Sequence, residues 1–263
     1  MNGLYKRRGA LKTIGIAAGT VFLNAAGQSR AIAAETASLL PQGATRLAEL
    51  TRRLAAAPRR RDFKSVPMIL DDREQWDYEA LAEVFGYQGQ PRQVWVNTDL
   101  AGQWPDAMRN ALNTEIWSFR HPDTLLVAAT HGSAHLALLD QAAWNKYALG
   151  QLPGNKLTSN TQLRKLPAQS IGVGDHRNVA GAYSTQDNSI PALLARGVVF
   201  MTCHNAIWEL AETLHAAGSN PDKLAVDALA ADLTNHVIPQ AIVTPGIVAT
   251  VLELQQAGFH YAH

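Results

Sequence analysis

The hydrophobic pattern of this chain changes character near residue 91. Before it, Leu47, Leu50 and Leu54 stand at helical spacing and predict a helix over 45–57, closed by Pro58 and the basic cluster Arg59-Arg60-Arg61. Asp71, Asp72, Glu74, Asp77 and Glu79 then surround Trp76 and Tyr78, a pattern that reads as a solvated helical face. After residue 91, strand and helix signals take turns. Residues 93–97 are a short strand candidate, and Met108, Leu112 and Ile116 mark a helix over 105–117. The run 124–130 is almost continuously apolar, as expected of a strand buried on both faces. Residues 134–149 read as the next helix. A third strand over 197–202 is followed by Cys203 and a helix over 205–217, and further helical spacing covers 224–233. A strand over 242–244 meets Pro245-Gly246, which opens a helix over 247–256, and 259–262 reads as the last strand.

Strands separated by helices imply parallel crossovers, hence an α/β fold: a flavodoxin-like three-layer sandwich with a mostly parallel sheet and an N-terminal extension. The domain core spans residues 91–263, the extension 34–90. Inside the domain core is an insertion at 150–189, rich in Gly, Asn, Gln, Ser and Thr, long enough to act as a lid. Gly172-Val173-Gly174 lies inside it without a surrounding strand–helix unit, so it makes no dinucleotide fingerprint.

The first 33 residues stand apart. Lys6, Arg7, Arg8 and Lys12 precede a mildly apolar run, and Ala31-Ile32-Ala33 has the form of a cleavage site. The pattern resembles a twin-arginine export signal, with Lys6 and Ala10 in place of the usual Ser/Thr and Phe. The run is shorter than a membrane helix needs, so no stable anchor is expected after cleavage and a periplasmic location follows. The leader also changes the charge balance. The whole chain has 23 basic and 22 acidic groups, but Lys6, Arg7, Arg8, Lys12 and Arg30 belong to the leader, leaving 18 against 22 and a net charge near −4. Nucleic-acid binding needs a basic stripe and is not expected. One cysteine excludes an intrachain disulfide, a four-cysteine zinc site and a cysteine-held iron–sulfur cluster.

In a parallel sheet, ligands bind beyond the carboxyl ends of the strands. Three such ends carry candidates: His131-Gly132-Ser133, Cys203-His204-Asn205 and Thr244-Pro245-Gly246. Cys203 falls where a strand gives way to a helix, a setting that favours thiolate over thiol. His204 and His131 are candidates to tune its protonation, with Gly132, Ser133, Asn205, Thr244 and Gly246 as ligand-binding positions. His131 and His135 are four apart and share a face if a helix begins near Gly132. With Cys203 and His204 they form an alternative ligand set for a metal or haem. No Gly-x-Ser-x-Gly elbow, Walker loop or His-Glu-x-x-His is present.

The stretch from Gly197 through Cys203-His204-Asn205-Ala206, with Val243-Thr244-Pro245-Gly246-Ile247-Val248-Ala249 and Leu254-Gln255-Gln256-Ala257-Gly258-Phe259-His260-Tyr261, resembles the DsrE/DsrF-like family. The resemblance covers about residues 92–263. It implies a flavodoxin-like domain, homo-oligomerisation and sulfur chemistry, with Cys203 at the position that carries a persulfide in sulfur-relay members. Its partner would be a sulfur donor or acceptor protein or a small sulfur compound. The relay members work in the cytoplasm, whereas this chain carries an export signal. The expectation is therefore an exported carrier more than a turnover enzyme, since no complete acid–base–nucleophile set is visible. The alternative is a periplasmic haem-, metal- or small-ligand-binding protein. No particular cofactor is specified.

Overall fold

The computed structural model describes residues 39–155, 157–164, 176–186 and 188–262. Residues 1–33, expected from the sequence to be an export leader, residues 34–38 of the extension and Gly172-Val173-Gly174 lie outside the described residues. Among the described residues no helix is long and apolar enough to cross a membrane.

Five strands form one all-parallel sheet: β1 (Arg92–Asn97), β2 (Leu125–Thr130), β3 (Val199–Cys203), β4 (Ile242–Thr244) and β5 (His260–Ala262), in the order β4-β3-β2-β1-β5. The fold is a flavodoxin-like α/β sandwich. β2 and β3 are buried along their whole length, which is why they read as unbroken apolar runs. The registers Asn97↔Thr130, Thr130↔Thr202 and Cys203↔Thr244 bring all four of these strand ends to one edge.

Alternation along each strand divides the interior into two cores. Val94, Val127, Ala129, Met201 and Ile242 face the layer made by α1 (Thr45–Ala56), α2 (Tyr78–Phe85) and a late helix over Ile247–Gln256. Leu126, Ala128, Phe200 and Val243 face the other layer. That layer holds α3 (Trp104–Asn113), α4 (Gln141–Lys146), α5 (Ile190–Ala195), α6 (His204–Ala216) and α7 (Val226–Asn235). The late helix is α8. It carries the chain back beneath β3, β2 and β1 to place β5 beside β1.

The extension is thus part of both layers. Leu47 and Leu50 of α1, with Leu81 and Val84 of α2, are fully buried in the first core. Val66, partly covered Phe63 and Leu70 join the second. The acidic run does not form the solvated helical face its composition suggests. Asp72 caps a short 3-10 turn over Arg73–Gln75, and Asp77 is 0% exposed. Its carboxylate accepts from Arg61 and from the Val243 backbone N–H, so a charge pair inside the protein, not hydration, satisfies it.

A second correction concerns residues 134–149. Instead of one helix, a 3-10 segment over Gly132–Leu138 ends at Leu139, and α4 starts afresh behind an Asp140 cap that accepts from Ala143 N–H at 2.8 Å. Leu139 makes an antiparallel bridge with Val237, and the Asn160 amide donates to the carbonyls of Ala137 (3.0 Å) and Leu139 (2.7 Å). Those partners replace the intrahelical bonds a continuous helix would need.

Candidate functional site

Cys203 is the last residue of β3 and the N-cap of α6, and it is 6% exposed. It faces the core lined by Met201, Ala206, Ile247 and Val251. Because β4 lies next to β3, the first amide of α8 arrives over the thiol: Ile247 N–H donates to Sγ at 3.4 Å. α8 therefore begins against the sulfur atom and α6 begins at the same residue, although Sγ takes no cap hydrogen bond from α6. Unpaired amides at helix N-termini favour negative charge. Ile247 was not among the candidates from sequence, since its amide is brought in by strand order alone.

Asn205 and Gly246 form the rim. A Cβ on Gly246 would stand 3.1 Å from Asn205 Nδ2, so the absence of a side chain at 246 lets the Asn205 amide lie close to the start of α8. Asn205 is exposed and Gly246 partly so, which places polar groups outward of the sulfur. Thr244 is buried and its hydroxyl donates to the Thr202 carbonyl at 3.1 Å, tying β4 to β3 behind the site.

The end of β2 stands beside this cluster, with His131 and Cys203 each one residue past the Thr130↔Thr202 pair. Gly132 has φ +55, and a Cβ there would meet the Thr98 carbonyl oxygen at 2.7 Å. Ser133 Oγ accepts from Leu100 N–H at 3.0 Å. These two residues lock the loop after β1, which accounts for their identity without a ligand. His131 is extended and only caps the 3-10 segment, in which residues four apart do not share a face. The structure thus removes the helical spacing that would have paired His131 with His135.

His204 turns to the extension: its Nε2 is 2.8 Å from the Pro67 carbonyl oxygen, and burial holds its pKa below the usual value, partly offset by the carbonyls of Pro67 and Met68. His135 is buried, with Nδ1 2.5 Å from the Gly132 carbonyl and Nε2 without a partner among the described residues. Among the described residues, no three His, Cys, Asp or Glu side chains gather into a group that could hold a metal ion. His131, His135, Cys203 and His204 accordingly do not converge as one ligand set.

Burial pushes the His135 pKa down to about 4, with the Gly132 carbonyl opposing and the charge of His131 adding to the shift. A folded pKa below the unfolded one means that the unfolded chain binds the proton first as pH falls. Stability present above about pH 6.5 is therefore expected to be lost down to about pH 4, by roughly 3 kcal/mol from this group. His204 acts in the same direction. His236, raised through its hydrogen bond to Asp140, acts in the opposite one: its contribution is present below its unfolded pKa and lost as pH rises through the raised value. Urea midpoints measured from pH 7 to pH 4 should fall more steeply for the wild type than for His135→Gln. Parallel slopes would remove His135 as the cause.

No family model, curated protein or solved structure matches this chain.

Proposed function

We propose that this is an exported, DsrE-like sulfur carrier that loads a sulfane sulfur on Cys203. The observation that supports the reading is the Ile247 N–H donating to Sγ while α6 begins at Cys203 itself. In the loading step, the Cys203 thiolate attacks the outer sulfur of a small donor such as thiosulfate. A Cys203 S–S bond forms, the donor's S–S bond breaks, and sulfite leaves with the bonding pair. The product persulfide is anionic, and the amides opening α6 and α8 are the groups that would hold that charge. Asn205 and Gly246 would frame the entering donor, and His131 stands at the neighbouring strand end as a candidate proton partner. The same proposal includes a homo-oligomer. Val248 and Leu252, four apart on α8, are 75% and 54% exposed and offer an apolar stripe beside the site for a second copy.

The test is intact mass after incubation of the reduced protein with thiosulfate or polysulfide. The wild type should gain one sulfur, about 32 Da, that a thiol reductant removes, while Cys203→Ser gains none. The serine variant should keep its circular dichroism and melting transition, because the side chains are close in size. A folded wild type that never gains sulfur would overturn the carrier.

A further inference from the structure

At the opposite, amino-terminal edge of the sheet lies a cleft of about 780 Å³. It runs between α1 and the segments that enter β3 and β4. Ala48, Leu54, Leu194, Val198, Val199 and Pro239 contribute to its walls, and its lining is predominantly apolar. A cleft of this size suits a small organic molecule. Two cations reach it. Arg52 is on the exposed face of α1 and is held by Glu49. Arg59 is the exception.

Arg59 belongs to the run of three arginines, and its neighbours are matched. Arg60 pairs with Glu74 and Glu79, and Arg61 pairs with Asp77. Arg59 has no carboxylate within salt-bridge distance among the described residues. Its Nη1 donates only to the carbonyls of Ala57 (3.1 Å) and Pro58 (3.3 Å), and its Nε–H is buried without an acceptor. Burial pushes its pKa down to about 10, with the charge of Asp77 opposing, that of Arg61 adding to the shift and that of Glu79 opposing it. Arg59 is half-buried, and a guanidinium whose Nε–H is enclosed without an acceptor at the wall of an apolar cleft is costly to leave unpaired.

We propose that the cleft binds a singly headed anionic amphiphile, with the anionic head on Arg59 and the alkyl chain along α1 and the start of β3. Charge complementarity selects the head, since Arg59 is a cation without a direct carboxylate contact among the described residues. The walls select the tail: Ala48, Thr51 and Ala55 give α1 a low surface, and Leu194, Val198 and Val199 face it. The site is independent of Cys203, which lies at the other edge of the sheet. Its success or failure therefore says nothing about sulfur loading.

Calorimetry and native mass spectrometry of the full chain, with dodecanoate below its micellar concentration, test the assignment. Binding of one molecule per chain is expected, weakened at least tenfold by Arg59→Gln and abolished by Ala48→Trp. The latter fills the cleft from an exposed position and leaves the core intact, so it keeps the test open if Arg59→Gln fails to fold. Octanoate should bind at least tenfold more weakly than dodecanoate, and dodecanol more weakly still. Dodecyl phosphate serves as the second arm: tighter binding than dodecanoate assigns a lipid phosphate head, weaker binding a fatty acid. Equal affinity for dodecanol and dodecanoate would overturn the proposal. So would the absence of binding, or a cleft closed by a second copy, seen as cross-linking through Gln240→Cys.

Discussion

Replacing Asp77 with alanine is expected to destabilise the protein by about 3–5 kcal/mol, the range for leaving a buried charge without its partner. The carboxylate ties two other segments to the start of α2, residues 60–61 and β4. Oδ2 accepts from Arg61 Nη2 at 3.0 Å and from Val243 N–H at 2.8 Å, while Oδ1 accepts from Arg60 N–H at 2.9 Å. The Asp77 backbone N–H also donates to the Val243 carbonyl at 3.2 Å. β4 is an edge strand, and Asp77 occupies the place where another strand would dock. Truncating it leaves Arg61 buried and uncompensated, and returns an unpaired N–H to the sheet edge. Asp77→Asn keeps an acceptor but not the charge, so an intermediate loss is expected. In a double-mutant cycle, Asp77→Leu with Arg61→Leu should be less destabilised than the sum of the singles, because neither charge is then left alone. Urea denaturation checks all of these. A change within about 0.5 kcal/mol for Asp77→Ala would mean that water reaches the site and the pair is not structural.

This contact explains why the role of Asp77 was not legible. In sequence it sits in an acidic run, and such runs are usually hydrated. Its partner Arg61 is just as easily read as one member of a basic surface cluster. Only the fold shows that the two meet under β4. The strands were legible for the opposite reason. β2 and β3 are covered on both faces, so their burial is written in consecutive residues. α8 was equally plain, since Pro245-Gly246 and the following apolar spacing mark its start. The segment 134–149 has the same apolar density as a helix, but its backbone bonds to Asn160 and to the backbone of His236 and Ile238, residues far along the chain. The Asp140 cap in its middle was a local signal of the break. For the candidate site, the strand-to-helix junction at Cys203 could be read directly, and so could the common edge of the three strand ends. The approach of Ile247 could not. It depends on β4 taking the position beside β3, which no local pattern specifies. Gly132 and Ser133 drew attention as ligand-binding residues because turn residues at a strand end look alike whether they hold a ligand or the next loop.

A chain that starts at residue 91 is expected not to fold. The grammar of strands and helices begins there, but the sheet face formed by Val94, Val127, Ala129 and Met201 depends on α1 and α2 for cover. Leu47, Leu50, Leu81 and Val84 are buried against it. Fully burying such side chains is worth about 1.5–3 kcal/mol each, so their loss alone approaches the 5–15 kcal/mol that holds a typical domain together. The exposed sheet face adds to that loss. α1 also seats closely on the strand layer at Gly197, whose φ is +87: a Cβ there would stand 2.8 Å from Leu47 Cδ2. The glycine both makes the turn into β3 and leaves room for the helix, which is the mark of an interface built with the domain. A chain from residue 34 should therefore melt in one cooperative transition, whereas a chain from residue 91 should show none by near-ultraviolet circular dichroism or calorimetry. A cooperative transition in the shorter chain would show that α8 alone can close that face and that α1 and α2 are an appendage.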